Sequence, residues 1–195
     1  MKKLILIASV LLGTFGAVKA QSSAKVKVNV VLNPFQSIEI GKGESNGQVV
    51  NLDEVTLEYK NAADYKNGVE KVIPNQLKVS SVGSGFRIKA EMRYNGVATS
   101  NLTRVAGNGE TTVNANDLLA ITVGNSAKMD ASTNMDFGPV GSSSDAQASV
   151  LDKELDVKYS GKSLNEAMVK KLLGNGGKDT AAKYTVDVVY TIAAN

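Results

Sequence analysis

The stretch Phe86–Gly96, FRIKAEMRYNG, decides the fold. Phe86, Ile88, Ala90, Met92 and Tyr94 alternate with Arg87, Lys89, Glu91 and Arg93. A period of two puts the apolar side chains on one face of a strand and the charges on the other, whereas a helical period would scatter both sets. Asn95-Gly96 follows, and this pair suits a type I′ turn, in which both central residues need positive φ. The stretch therefore reads as a half-buried strand running into a tight hairpin.

The same alternation extends in both directions. Toward the N-terminus, AKVKVNVVL (24–32) places Ala24, Val26, Val28, Val30 and Leu32 on one face, opposite Lys25, Lys27 and Asn29. Shorter strands are expected at 36–41, 47–52, 55–60 and 76–81. Toward the C-terminus, the return strand 97–105 is polar enough to lie at a sheet edge. Strands are also expected at 110–114, 118–123 and 154–159. In the closing segment 183–195, KYTVDVVYTIAAN, Tyr184, Val186, Val188, Tyr190 and Ile192 share one face, opposite Thr185, Asp187 and Thr191. It reads as a central, fully paired strand. Short strands separated by Gly and Asn turns predict an all-β fold, an antiparallel immunoglobulin-like β-sandwich.

Two short helices interrupt the pattern. In SLNEAMVKKLLGNGG (163–177), Ser163 and Glu166 have capping-box spacing, Ala167, Met168, Leu172 and Leu173 form an apolar stripe, and Gly174 is a stop signal. Residues 61–69, ending near Gly68, predict a weaker helical turn. Segment 138–147, GPVGSSSDAQ, reads as a loop.

Residues 1–20 begin with Lys2 and Lys3, continue with an apolar run from Leu4 to Phe15, and end in small residues at Val18 and Ala20. This is the pattern of a secretory signal peptide cleaved after Ala20. The run is short of the ~20 apolar residues that cross a bilayer, so no membrane insertion is expected. The leader holds three of the 22 basic residues and no acid, which leaves 19 basic against 19 acidic residues. The pI of 8.9 therefore belongs to the precursor, and no basic bias toward nucleic acid remains. The 175 residues after cleavage suit one domain, 21–195, with 21–33 as its first strand or as an arm donated to a neighbour. A domain of that length buries enough surface to fold without disulfides, so an exported chain lacking cysteine is no contradiction.

The residue inventory excludes several chemistries. The chain has no histidine, cysteine or tryptophan, which removes Ser-His-Asp and Cys-His nucleophiles and zinc sites built on imidazole or thiolate. No phosphate-binding glycine motif is present. Acids such as Asp53, Glu54, Asp64 and Glu70 are available for a glycosidase pair, yet they read as solvated loop and strand-edge charges. A non-enzymatic protein without a cofactor is expected.

The closing YTVDVVYTIAAN, preceded by a core strand and a crossover, resembles the last strand of bacterial pilin-like and spore-coat-U-like β-sandwiches. The run from VNLDEVTLEYKNAADYKNGV to NQLKVSSVGSGFRIKA is similar to small exported proteins of flavobacteria and their relatives. The resemblance covers about half of the mature chain. It departs from chaperone–usher pilins, which in their usual form carry a disulfide, and it implies a structural class with export to the cell surface.

Three local motifs bear on sites. Val26, Val28, Val30 and Leu32 are candidates for a donated strand that completes a neighbour's sheet. Asp130, Ser132, Asn134 and Asp136 alternate in DASTNMDFG as oxygen ligands of a calcium loop do, although Met135 stands where such a loop wants glycine and Gly141 where it wants an acid. A polar surface turn is the favoured reading of that stretch. Asp179-Thr180-Ala181 looks like the three-residue O-glycosylation signal of some bacteroidete export systems, with Thr180 as acceptor. Among the aromatics, Tyr65 and Phe137 are expected to be the exposed ones, too few for a typical sugar-stacking surface.

The expectation is thus an extracellular or cell-surface protein, with the periplasm as an alternative location. Its main partner is another copy of itself, as in a pilin-like filament or coat. A monomeric adhesion module for a glycan or a protein on a surface is the rival.

Overall fold

A computed structural model describes residues 25–41, 43–45, 48–50, 52–140, 149–174 and 181–195. The leader and Thr180 lie outside the described residues, as does most of the 138–147 loop. The chain divides into two units, Met1–Leu32 and Asn33–Asn195, and the second contains every strand among the described residues.

The fold is all-β and sandwich-like, with fourteen strands and two short helices among the described residues. One sheet has five strands in the order β1 (Phe35–Ile40), β4 (Val69–Val82), β12 (Val150–Gly161), β9 (Leu119–Val123) and β10 (Met129–Asp130). A second has β11 (Met135–Asp136), β5 (Phe86–Tyr94) and β14 (Asp187–Ala194) in that order, with β6 (Val97–Ala98) also on β5. A smaller sheet places β7 (Asn101–Ala106) between β13 (Lys183–Thr185) and β8 (Thr112–Asn114), and β2 (Gly43–Ser45) pairs with β3 (Gln48–Val50). All pairings are antiparallel.

The core lies where the two larger sheets face each other. Phe86, Ile88, Ala90 and Met92 of β5 join Leu77 and Val79 of β4, Leu155 and Val157 of β12, and Ile121 and Val123 of β9 in one buried cluster. Burying each of these side chains other than Ala90 stabilises the fold by about 1.5–3 kcal/mol before entropy is charged against it. In β5 the buried and half-buried residues alternate from Phe86 to Met92, so a slip of one residue would carry four charges into the core. The hairpin after it forms as its residues require: φ is +50° at Asn95 and +80° at Gly96, with Tyr94 opposite Val97.

Several expectations need correction. The first strand expected at 24–32 is in no ladder, since residues 25–34 carry no strand. Segment 55–60 keeps its alternation, with Val55, Leu57 and Tyr59 half-buried, but pairs with no strand; the Tyr59 hydroxyl instead donates to the Lys162 carbonyl at 2.7 Å. The return strand 97–105 breaks at Thr99-Ser100, and its second half is the middle of the small sheet rather than an edge. The closing segment breaks at Val186, and β13 and β14 belong to different sheets. Among the described residues β14 is then an edge strand, paired with β5 on one side only. Alternation reports which faces are buried; pairing runs at right angles to it and depends on distant chain.

The expected helices form as α1 (Ala62–Asn67) and α2 (Glu166–Leu173), and α2 lies in the crossover between β12 and β13. Its cap is Asn165, not Ser163: the Asn165 side chain accepts from the Met168 amide at 2.8 Å. α1 has the reciprocal capping box, with Asn61 accepting from the amides of Ala63 and Asp64 while the Asp64 carboxylate takes the Asn61 amide.

Candidate strand-pairing edges and surface groove

β1 and β14 approach each other without forming a ladder. Which of their backbone groups face outward follows from two hydrogen bonds. The Asn195 amide donates to the Gly85 carbonyl at 3.1 Å, one step beyond the register that sets Ala194 opposite Phe86. In an antiparallel pair, hydrogen-bonded positions recur every second residue. Asp187, Val189, Thr191 and Ala193 therefore bond to β5, while the amides and carbonyls of Val188, Tyr190, Ile192 and Ala194 point to the outer edge. On β1 the Gly41 amide donates to Gln76 at 2.8 Å, so Gln36, Ile38 and Ile40 present theirs outward by the same rule.

The side chains at these edges are incompletely covered. Val188, Tyr190, Ile192 and Ile38 pack on the core yet remain half-buried, in contrast to the fully buried row on β5. Below the β14 edge the Tyr190 and Tyr159 hydroxyls lie 2.9 Å apart, linking the two sheets across the core. Burial raises the pKa of both, that of Tyr190 well above the ordinary phenol value.

The strand-donor candidates belong to the first unit. Val26, Val28, Val30, Val31 and Leu32 are between 76% and 86% exposed. Runs of apolar side chains are seldom left in water without a partner.

The calcium candidates are spread over two strands and the turn between them. Asp130, in β10, forms an ion pair with Lys162 at 2.6 Å. Asp136, in β11, is paired with Arg87 at 3.2 Å and also accepts from the Gly138 amide. Ser132 and Asn134 close a local turn through their own hydrogen bonds. Each of the two carboxylates thus has at least one cation beside it. No group of three or more acidic, His or Cys residues able to hold a metal occurs among the described residues.

The other acids have structural partners as well. Glu54 meets Lys183 at 3.5 Å, and Asp64 caps α1. Glu70 accepts from Ser160 at 2.9 Å, and this hydrogen bond, followed by the nearby Lys158 and Lys128, holds its carboxyl below the usual range.

Sequence reasoning did not foresee the open groove of about 730 Å³ between α1 and α2. Leu164, Val169 and Leu173 line it together with Tyr65, Lys66 and Ser163. The Tyr65 ring leans on Tyr59, with centroids 5.3 Å apart, and is half-buried. Phe137, expected to be exposed, is buried in the core. No helix among the described residues is long and apolar enough to cross a membrane. No protein-family model matches the chain, and a search of curated proteins finds no match.

Proposed function

We propose that the chain is an exported structural protein without catalytic activity, a self-associating pilin-like filament or surface-coat subunit, which works outside the cell or at its surface and donates its N-terminal segment to a neighbouring copy. The observation that carries this reading is the exposed, alternating Val26–Leu32 segment, which lies outside the compact β unit. Covering the four alternating side chains gains about 6–12 kcal/mol, of the same order as the backbone entropy lost on ordering eight residues, about 8–16 kcal/mol, and the ladder hydrogen bonds of a partner edge add to the gain. The reading is tested by size-exclusion chromatography and electron microscopy of the processed protein, with and without residues 21–33. Assemblies that disappear on deletion, while the domain stays folded, are expected. A processed chain that is monomeric at all concentrations, or a deletion that unfolds the domain, would contradict it.

The groove beside α1 favours a second reading, a monomeric binding module for a glycan or protein, because it combines an apolar floor with the Tyr65 ring and the Lys66 ammonium. A single tyrosine already packed on its neighbour is a poor platform for sugar faces, so this reading ranks second.

A further inference from the structure

We propose that the outer edge of β14 is the site that receives the donated strand, and that its occupant is the Lys25–Leu32 segment of a second copy. This rests on the strand-donation reading and adds to it the acceptor and the register. Length selects the acceptor. The segment has eight residues and β14 has eight, whereas β1 has six, the edge strands β8 and β13 three each, and β6, β10 and β11 two each. A strand held by two or three residues cannot template an eight-residue ladder, and short edges are how sheets avoid such pairing.

Chemistry then sets the register. Val188, Tyr190, Ile192 and Ala194 direct their outward backbone groups toward the incoming chain, and the side chains of the first three form a half-covered apolar row packed on the core. A strand with Val26, Val28, Val30 and Leu32 on that face extends the core by one row and leaves Lys25, Lys27 and Asn29 on the solvent side, beside Asp187 and Thr191. Shifting it by one residue would bury both lysines, so one facing is strongly preferred.

The connection to β1 favours a second copy as occupant: β1 begins and β14 ends at the same β4–β5 turn, so pairing along the chain's own β1 or β14 needs a reversal just before Phe35. Only Asn33 and Pro34 separate Leu32 from Phe35, and a two-residue hairpin onto the chain's own β1 needs positive φ at one or both of them. Pro34 is fixed near −65° and biases Asn33 toward extended backbone, which opposes such a turn. Pro34 also packs against Gly83, where an added Cβ would lie 2.8 Å from the Pro34 Cβ.

The test uses the full processed chain and a synthetic peptide of residues 24–33. Hydrogen exchange is followed in dilute monomer, in assembled protein, and in monomer with excess peptide. The amides of Val188, Tyr190, Ile192 and Ala194 are expected to slow at least about tenfold in the second and third samples. Val188→Pro removes one outward amide without touching the ladder to β5, and should abolish assembly while circular dichroism stays unchanged; Ala194→Pro replaces it if that variant misfolds. Protection of Gln36, Ile38 and Ile40 instead would overturn β14 as acceptor while leaving donation intact. Protection of residues 25–32 together with the β14 edge in dilute monomer would overturn the second copy as occupant. If the chain never assembles, the donation reading fails, but peptide-induced protection of β14 would still support the edge and its absence would refute it.

Discussion

The hydroxyl pair between Tyr159 and Tyr190 offers a test of how the last strand is tied into the fold. Tyr159 lies on β12 and Tyr190 on β14, so the 2.9 Å contact bridges opposite sheets. Each hydroxyl is the other's side-chain hydrogen-bond partner. Removing one hydroxyl leaves a buried partner unsatisfied, at about 1–3 kcal/mol; removing both replaces them by apolar groups of similar shape, which is close to neutral. Tyr159→Phe and Tyr190→Phe should therefore each cost an amount within that range, because each strands the other hydroxyl. The double variant should recover most of the loss. For a domain of this size each kcal/mol lowers Tm by about 2–4 °C. Urea unfolding of the processed chain at one fixed protein concentration, followed by tyrosine fluorescence, measures the cycle without a contribution from assembly. Additive single-variant losses, or losses below about 0.5 kcal/mol, would refute the cross-sheet bond.

Alkaline titration probes the same region. Burial raises the pKa of Tyr159 and Tyr190, and burial followed by the nearby Tyr65 pushes Tyr59 to about 12. An unfolded chain ionises these phenols near 10.0, while the folded chain keeps them neutral. Their contribution to stability is therefore constant below about pH 10 and declines above it. Tyrosinate absorbance should rise together with unfolding, and full ionisation near pH 10 in a folded chain would contradict the burial. Gly109→Ala should cost more than about 2 kcal/mol, since its Cβ would collide with the Leu172 carbonyl and lie 2.5 Å from the Tyr184 hydroxyl; unchanged thermal stability would rule out that docking of α2. Asn165→Ala should cost about 1 kcal/mol and Ser163→Ala almost nothing, and the reverse order in denaturant unfolding would restore Ser163 as the cap.

Much of the architecture was legible in side-chain alternation. β5, its hairpin, β9 and the core half of β4 follow from residues that must choose a buried or a wet face. What stayed illegible depends on the perpendicular direction. Segment 55–60 shows that an alternating stretch can pack on a core without a ladder, and β14 shows that a half-buried row can stand at an edge. β4 and β12 also run longer than their apolar cores suggest. They do so through irregularities such as the one around Pro74 and Asn75, where the Asn75 amide is satisfied by the Asp156 carboxylate at 2.8 Å. The helix cap was misplaced because Ser163 and Asn165 both suit the role, and the start of the helix, two residues later than the spacing implied, decides between them. Of the candidate sites, the apolar residues of the arm were readable, but their acceptor was not, because a free edge is a property of neighbouring strands.

Residue-resolved hydrogen exchange of the dilute processed chain tests the central claim most directly. If β14 closes the sheet as an edge strand, the amides of Asp187, Val189, Thr191 and Ala193 exchange slowly while those of Val188, Tyr190, Ile192 and Ala194 exchange fast, and residues 25–32 exchange like an unpaired tail. Uniform protection along β14 in monomer, or uniform fast exchange there, would contradict the account.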